Sequence, residues 1–245
     1  QTVVKFSLRA AGLLIGIYAG IDAAAQGAAL TFDALSPLTS GLLILAVSVR
    51  IGLIPNTPIL PYRLPTQAGY GALLRLVATA AHFPLLVKAA QSGASPQMQT
   101  FLWVWTGLTA LLSAFSWISA NNSQAGRHYW IIALSSLVVA SSSSAQPQAV
   151  IAFGWSLLLP GSLIFLSNYR NRWSLPLLFL GGLAISSLPY TPTWQSVELY
   201  TGSFHVGWLL LLPAHSLILL GFLKHSFTKK TQNAGEELAQ PTKTK

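Results

Sequence analysis

The chain has 245 residues, of which 52% are hydrophobic and 8% charged, and its mean hydropathy is +0.55. A soluble domain carries about 25% charged residues, so a water-facing surface of this size is excluded, as is general disorder. The absence of cysteine excludes disulfides, thiolate metal sites and cysteine nucleophiles, and the net charge of +9 has to be explained by the lipid setting.

A membrane helix needs about 20 mostly apolar residues. Eight windows satisfy that in chain order: 4–25, 36–54, 68–90, 98–119, 128–145, 147–167, 173–189 and 203–224. The expected fold is an all-α polytopic bundle of about eight transmembrane helices over residues 1–225. Short links rich in Pro, Gly, Ser and Asn join the windows. From residue 226 the composition turns to Lys, Glu, Thr, Gln and Pro, which predicts a disordered cytoplasmic tail over 226–245.

With alternating spans, Lys5, Arg9, Arg50, Arg63, Arg127, Arg170, Arg172, Lys224, Lys229 and Lys230 fall on one face. Lys88, Asp33 and Glu198 fall on the other. This bias places both termini in the cytoplasm and accounts for the basic charge without a nucleic-acid partner. The lipid bilayer is the expected surrounding.

Ionisable groups at membrane depth are costly and mark a pathway or a buried pair. Asp22, with Gln26 one turn on, suits the outer interface. Arg50 ends the second window, and Arg75 lies about two turns into the third. His82 is seven residues beyond Arg75 and shares its helix face. Arg50, Arg75 and His82 are therefore the candidate polar axis. His205 and His215 lie ten apart, too far around a helix for a shared metal site. No HExxH, Ser/His/Asp set or Walker loop occurs, so no metal, cofactor or catalytic residue is assigned.

Prolines supply the expected helix breaks. Pro55, Pro58 and Pro61 lie in the connector Arg50–Pro65, which cannot be regular helix, and Pro84, Pro160 and Pro213 lie inside windows. Broken helices at membrane depth are tolerated where protein or a cavity satisfies the freed carbonyls.

Five elements in order carry a family resemblance. The first runs from Leu42 through Arg50 into Ile54-Pro-Asn-Thr-Pro-Ile-Leu-Pro61 and on to Gly71-Ala-Leu-Leu-Arg75. Then come Gly107-Leu-Thr-Ala-Leu-Leu-Ser-Ala-Phe115 and Gly126-Arg-His-Tyr-Trp130 with Ser135-Ser136. Ser162-Leu-Ile-Phe-Leu166 and Gly181 to Pro192 follow. Together, over about residues 40–195, they resemble the later half of the proton-translocating antiporter-like membrane subunits. That family includes the large membrane-arm subunits of complex I and the Mrp-type antiporters. The resemblance implies a diverged or truncated proton-conducting subunit of a complex I-like NADH-quinone oxidoreductase or related ion-translocating assembly. It also implies other membrane subunits as partners and a bacterial plasma membrane or thylakoid location. The family's lysine falls on Arg50 and its histidine on Arg75. Arginine stays protonated, so it can shape a field but cannot relay a proton. The family's histidine and lysine before the Leu-Leu-Phe-Leu run are replaced by Gly154, Trp155, Pro160 and Gly161. A non-conducting structural membrane subunit is thus the alternative, with an unrelated small-molecule permease behind it. Whether the whole assembly is an enzyme stays open, since no catalytic chemistry is expected in this chain alone.

Overall fold

The computed structural model describes residues 2–27, 32, 35–53, 68–166, 174–191, 193–201 and 207–227. All regular structure among them is helical: α1 (Thr2–Ala25), α2 (Pro37–Ile51), α3 (Ala68–Ala80), α4 (Phe83–Ala89), α5 (Pro96–Ser119), α6 (Ser123–Ser143), α7 (Pro147–Leu166), α8 (Ser174–Ile185) and α9 (Trp208–Phe227). A 3-10 helix, Trp194–Tyr200, bridges α8 and α9.

Local chemistry sets the boundaries. Ser36 caps α2 by accepting the Thr39 N–H at 3.2 Å, and Pro37 opens the first turn where its missing donor costs nothing. Gly52, at φ 89°, closes α2 in the left-handed conformation, its N–H reaching Ser48 and Val49 carbonyls. Asn122 caps α6 through the Ala125 N–H at 2.7 Å. Pro96 and Pro147 start α5 and α7.

The third apolar window is two helices rather than one. A turn at Ala81–His82 separates α3 from α4, and Pro84 occupies the first turn of α4. The break expected at Pro84 is thus found one turn before it. The break expected at Pro160 is absent, because α7 runs from Pro147 to Leu166 through it, as α9 does through Pro213. Neighbours α3, α4, α6 and α8 pack along α7 and hold its course despite the lost backbone bond. Pro55, Pro58 and Pro61 lie outside the described residues. α9 continues to Phe227, two residues into the expected tail, the rest of which also lies outside them.

Two poles emerge from the connections. At one, Ala94 N–H donates to the Ser143 carbonyl at 3.0 Å and Ser95 N–H to the Pro37 carbonyl at 3.2 Å. Asp22, Glu198 and the end of α6 share this acidic pole, where Gln146 Nε2 donates to the Glu198 carbonyl at 2.6 Å. The opposite, basic pole carries the α5–α6 turn, Arg127 and Lys224.

α6 is the axis of the bundle. Residues 130–143 are buried without interruption, against α2, α3, α4, α5, α7 and α9. Small side chains let those helices approach closely. α1 is the opposite case. It packs on α2, and 17% of its apolar window is buried. The exterior is apolar, with Phe6 75%, Leu14 66% and Phe115 63% exposed. Four helical stretches, Phe6–Ala25, Pro96–Ser119, Pro147–Phe165 and Trp208–Phe227, are long and apolar enough to cross a membrane. α2 and α8 are apolar but shorter.

Candidate functional site

Helix length decides where the polar side chains lie. At 1.5 Å per residue α2 is about 22 Å long and α5 about 36 Å. Both start at the acidic pole, so α2 stops about 13 Å short of the far end of α5. Arg50 therefore sits in the last turn of a short helix, beside carbonyls that favour a cation. Its stem packs on α1, with Arg50 Cγ 3.2 Å from the position of a Cβ on Gly12. The turn beyond it is anchored by the Trp105 indole, which donates to the Leu53 carbonyl at 3.1 Å.

Arg75 faces elsewhere. It is half-buried on α3 and acts electrostatically on His128 of α6, as does Arg127. α3 packs on α7, α6 and α4, whereas α2 packs on α1, α4, α6 and α5. The two helices share α4 and α6 as neighbours, with the Arg50 stem lying on α1 and Arg75 acting on His128 of α6. His82 stands at the α3–α4 turn with Nδ1 2.9 Å from the Ala78 carbonyl.

Two other polar clusters are better knit. At the basic pole α9 caps the end of α5. Lys224 Nζ donates to the Ile118 carbonyl at 2.6 Å and the Ala120 carbonyl at 3.3 Å. His225 Nε2 meets the Trp117 carbonyl at 2.9 Å, and the two rings lie tilted with centroids 4.3 Å apart. Cations at a helix C-terminus offset the negative end of its dipole. Trp117, Trp130, Phe165 and Phe222 fill the space above.

At the acidic pole the end of α8 is wrapped by side chains from three elements. His215 Nε2 lies 2.8 Å from the Ile185 carbonyl and Nδ1 3.2 Å from the Tyr200 hydroxyl. Ser156 donates to the Ala184 carbonyl at 3.3 Å, Thr193 donates to the same atom, and Ser187 bonds Ser196. Burial of the Tyr200 hydroxyl pushes the phenol above the usual tyrosine range. Asp22, on α1, accepts from Gln26 Nε2 at 2.8 Å and from Thr39 of α2.

His215 could be anticipated as a hydrogen-bonded bundle histidine. Its partners Tyr200 and Ile185, and the pairing of His225 with Trp117, lie too far off in sequence for any spacing rule. His205 is outside the described residues. Among the described residues no group of three His, Asp or Glu could hold a metal ion.

The helices and their apolar exterior define an all-helical membrane protein. No protein-family model matches the chain, and neither a curated protein nor a solved structure matches it.

Proposed function

We propose that the chain is a structural subunit of an antiporter-like, ion-translocating membrane assembly of the complex I type, and that it conducts no protons alone. It crosses the bilayer eight times, with the third passage broken at His82 and both termini cytoplasmic. The membrane is a bacterial plasma membrane or a thylakoid. Quinone and nucleotide chemistry belong to partner subunits.

The observation that carries this reading is the closed centre. Along α6 Ser136 donates to the Ile132 carbonyl at 2.8 Å, Ser141 to Leu137 at 2.9 Å and Ser142 across to Leu86 of α4 at 2.8 Å, while the Ser135 hydroxyl is buried with no hydrogen-bond partner among the described residues. A proton relay needs groups that titrate near neutrality at water-bridged spacing. The described histidines stand apart: His82 at the α3–α4 turn, His128 in the first turns of α6 against Tyr129, His215 on Tyr200 and Ile185, and His225 on Trp117. Arg50 and Arg75 stay charged.

The conducting role that the family resemblance implies is the rival, and one experiment separates the two. Purified chain in liposomes under an imposed pH gradient is expected to collapse it no faster than empty vesicles do. Proton flux that disappears in His82→Ala would reject the structural role and establish conduction.

A further inference from the structure

A cavity of about 250 Å³ opens at the acidic pole between the end of α8, the 3-10 helix and α9. Its polar lining is Ser186, Ser187, Tyr200, His215 and Ser216. The Ile185 carbonyl can only accept, so His215 carries its proton on Nε2. The neutral ring then presents Nδ1 as an acceptor, and the Tyr200 hydroxyl spends its proton there. Ser186 donates to the Leu183 carbonyl at 2.7 Å and Ser216 to the Leu212 carbonyl at 3.1 Å. Ser187 and Ser196 bond each other. The protons of Ser186, Tyr200, His215 and Ser216 are all committed, the Ser187–Ser196 pair keeps one proton beyond the bond it shares, and Ser186, Tyr200 and Ser216 offer oxygen lone pairs to the cavity.

Two further features give the site a sign. The C-terminal end of α8, the negative end of its dipole, points at the cavity. Glu198 lies on the same 3-10 helix as the lining residues Val197 and Tyr200. A ligand suited to this place brings several N–H donors and a positive charge in a compact head.

We propose that the cavity binds a primary ammonium group. The ammonium places its three N–H protons on Ser186, Ser216 and Tyr200 oxygens, and its carbon stem leaves past Leu212, which is 45% exposed on the apolar exterior. A quaternary ammonium has no N–H and cannot make these bonds. The group can come from a free amine on the acidic-pole side or from an ethanolamine lipid headgroup at the same level. The proposal is independent of the subunit role.

Titration calorimetry of the detergent-solubilised full chain with methylammonium chloride, and separately with tetramethylammonium chloride, tests it. Methylammonium is expected to bind and tetramethylammonium not. In Ser186→Ala/Ser216→Ala, which loses two acceptors but no packing volume beyond two oxygens, affinity should fall about tenfold or more, since bonds to a charged group are the stronger kind. Circular dichroism and thermal unfolding of that variant verify that it is folded, and Ser216→Leu, which fills the exposed side of the cavity, repeats the test. Equal binding of the two cations, no binding of methylammonium, or undiminished binding by the folded variants would overturn the proposal. Native mass spectrometry from equimolar phosphatidylethanolamine and phosphatidylcholine vesicles identifies the source. Ethanolamine enrichment lost in the variants marks the lipid, and methylammonium binding without enrichment marks a free amine.

Discussion

At the scale of single residues, close approach is what several positions are selected for. A Cβ on Gly221 would lie 2.4 Å from Trp117 Cδ1 and 2.5 Å from its Nε1, and Trp117 is fully buried with no room to retreat. Gly221→Ala should therefore lower stability by roughly 1–3 kcal/mol, the usual cost of overpacking. Gly20 has nothing within 4 Å, so Gly20→Ala should be neutral or slightly stabilising in the same thermal unfolding series. Tyr200 makes a different kind of prediction. Its phenol is held neutral by burial, with a folded pKa above that of the unfolded chain. The stabilisation is complete below the unfolded value near 10 and is lost as pH rises past it. Melting temperature of the parent should begin to fall as pH rises through about 10 and keep falling above it, and Tyr200→Phe should flatten that fall.

At the scale of elements, apolar windows were legible and contacts were not. The windows opening at 36 and 147 meet the starts of α2 and α7, but α6 begins at Ser123, five residues before its window, because Asn122 caps a first turn too polar for hydropathy to register. The division of α3 from α4 was hidden inside an unbroken apolar window, since hydropathy does not register a two-residue turn. Pro160 misled in the other direction, because packing on α7 outweighs one missing N–H. The α1–α2 hairpin depends on a small polar clasp of Asp22, Gln26, Ser36 and Thr39. With no native cysteine, Gly16→Cys and Ala46→Cys can report on it, since a Cβ on Gly16 lies 3.7 Å from that of Ala46, a disulfide spacing. Adding Asp22→Ala should cut the rate of cross-linking about tenfold, the loss expected for two bonds at a carboxylate.

At the scale of the whole molecule, the charge asymmetry seen in the sequence and the two poles of the fold agree. The described carboxylates Asp22 and Glu198 lie at one pole, with Arg127 and Lys224 at the other. The proposed orientation follows from that asymmetry. Reporter fusions at Gln124 and Ser203 should report cytoplasm and exterior respectively, and the reverse pattern would reject it. What the sequence could not reveal is the order of burial. Hydropathy measures whether a segment has an apolar surrounding, and it is silent on whether lipid or protein provides it. α1 and α6 both appear as windows, yet α1 leaves most of its apolar window unburied by the rest of the chain, whereas α6 is buried along residues 130–143.

The serine-rich helix at the axis has a consequence for synthesis. α6 is absent from the four stretches apolar enough to cross by themselves, and it holds Ser135, Ser136 and Ser141 to Ser143 in complete burial. Emerging from the ribosome before α7, it is a poor match for bare hydrocarbon, where polar groups lack partners. It must wait at the insertion machinery, or beside α5, until α7 arrives to enclose it. Nascent chains arrested after Gln146 should leave α6 extractable by alkali, while chains arrested after Leu166 should retain it. The most protected helix of the finished protein is then the most vulnerable one while the protein is being made.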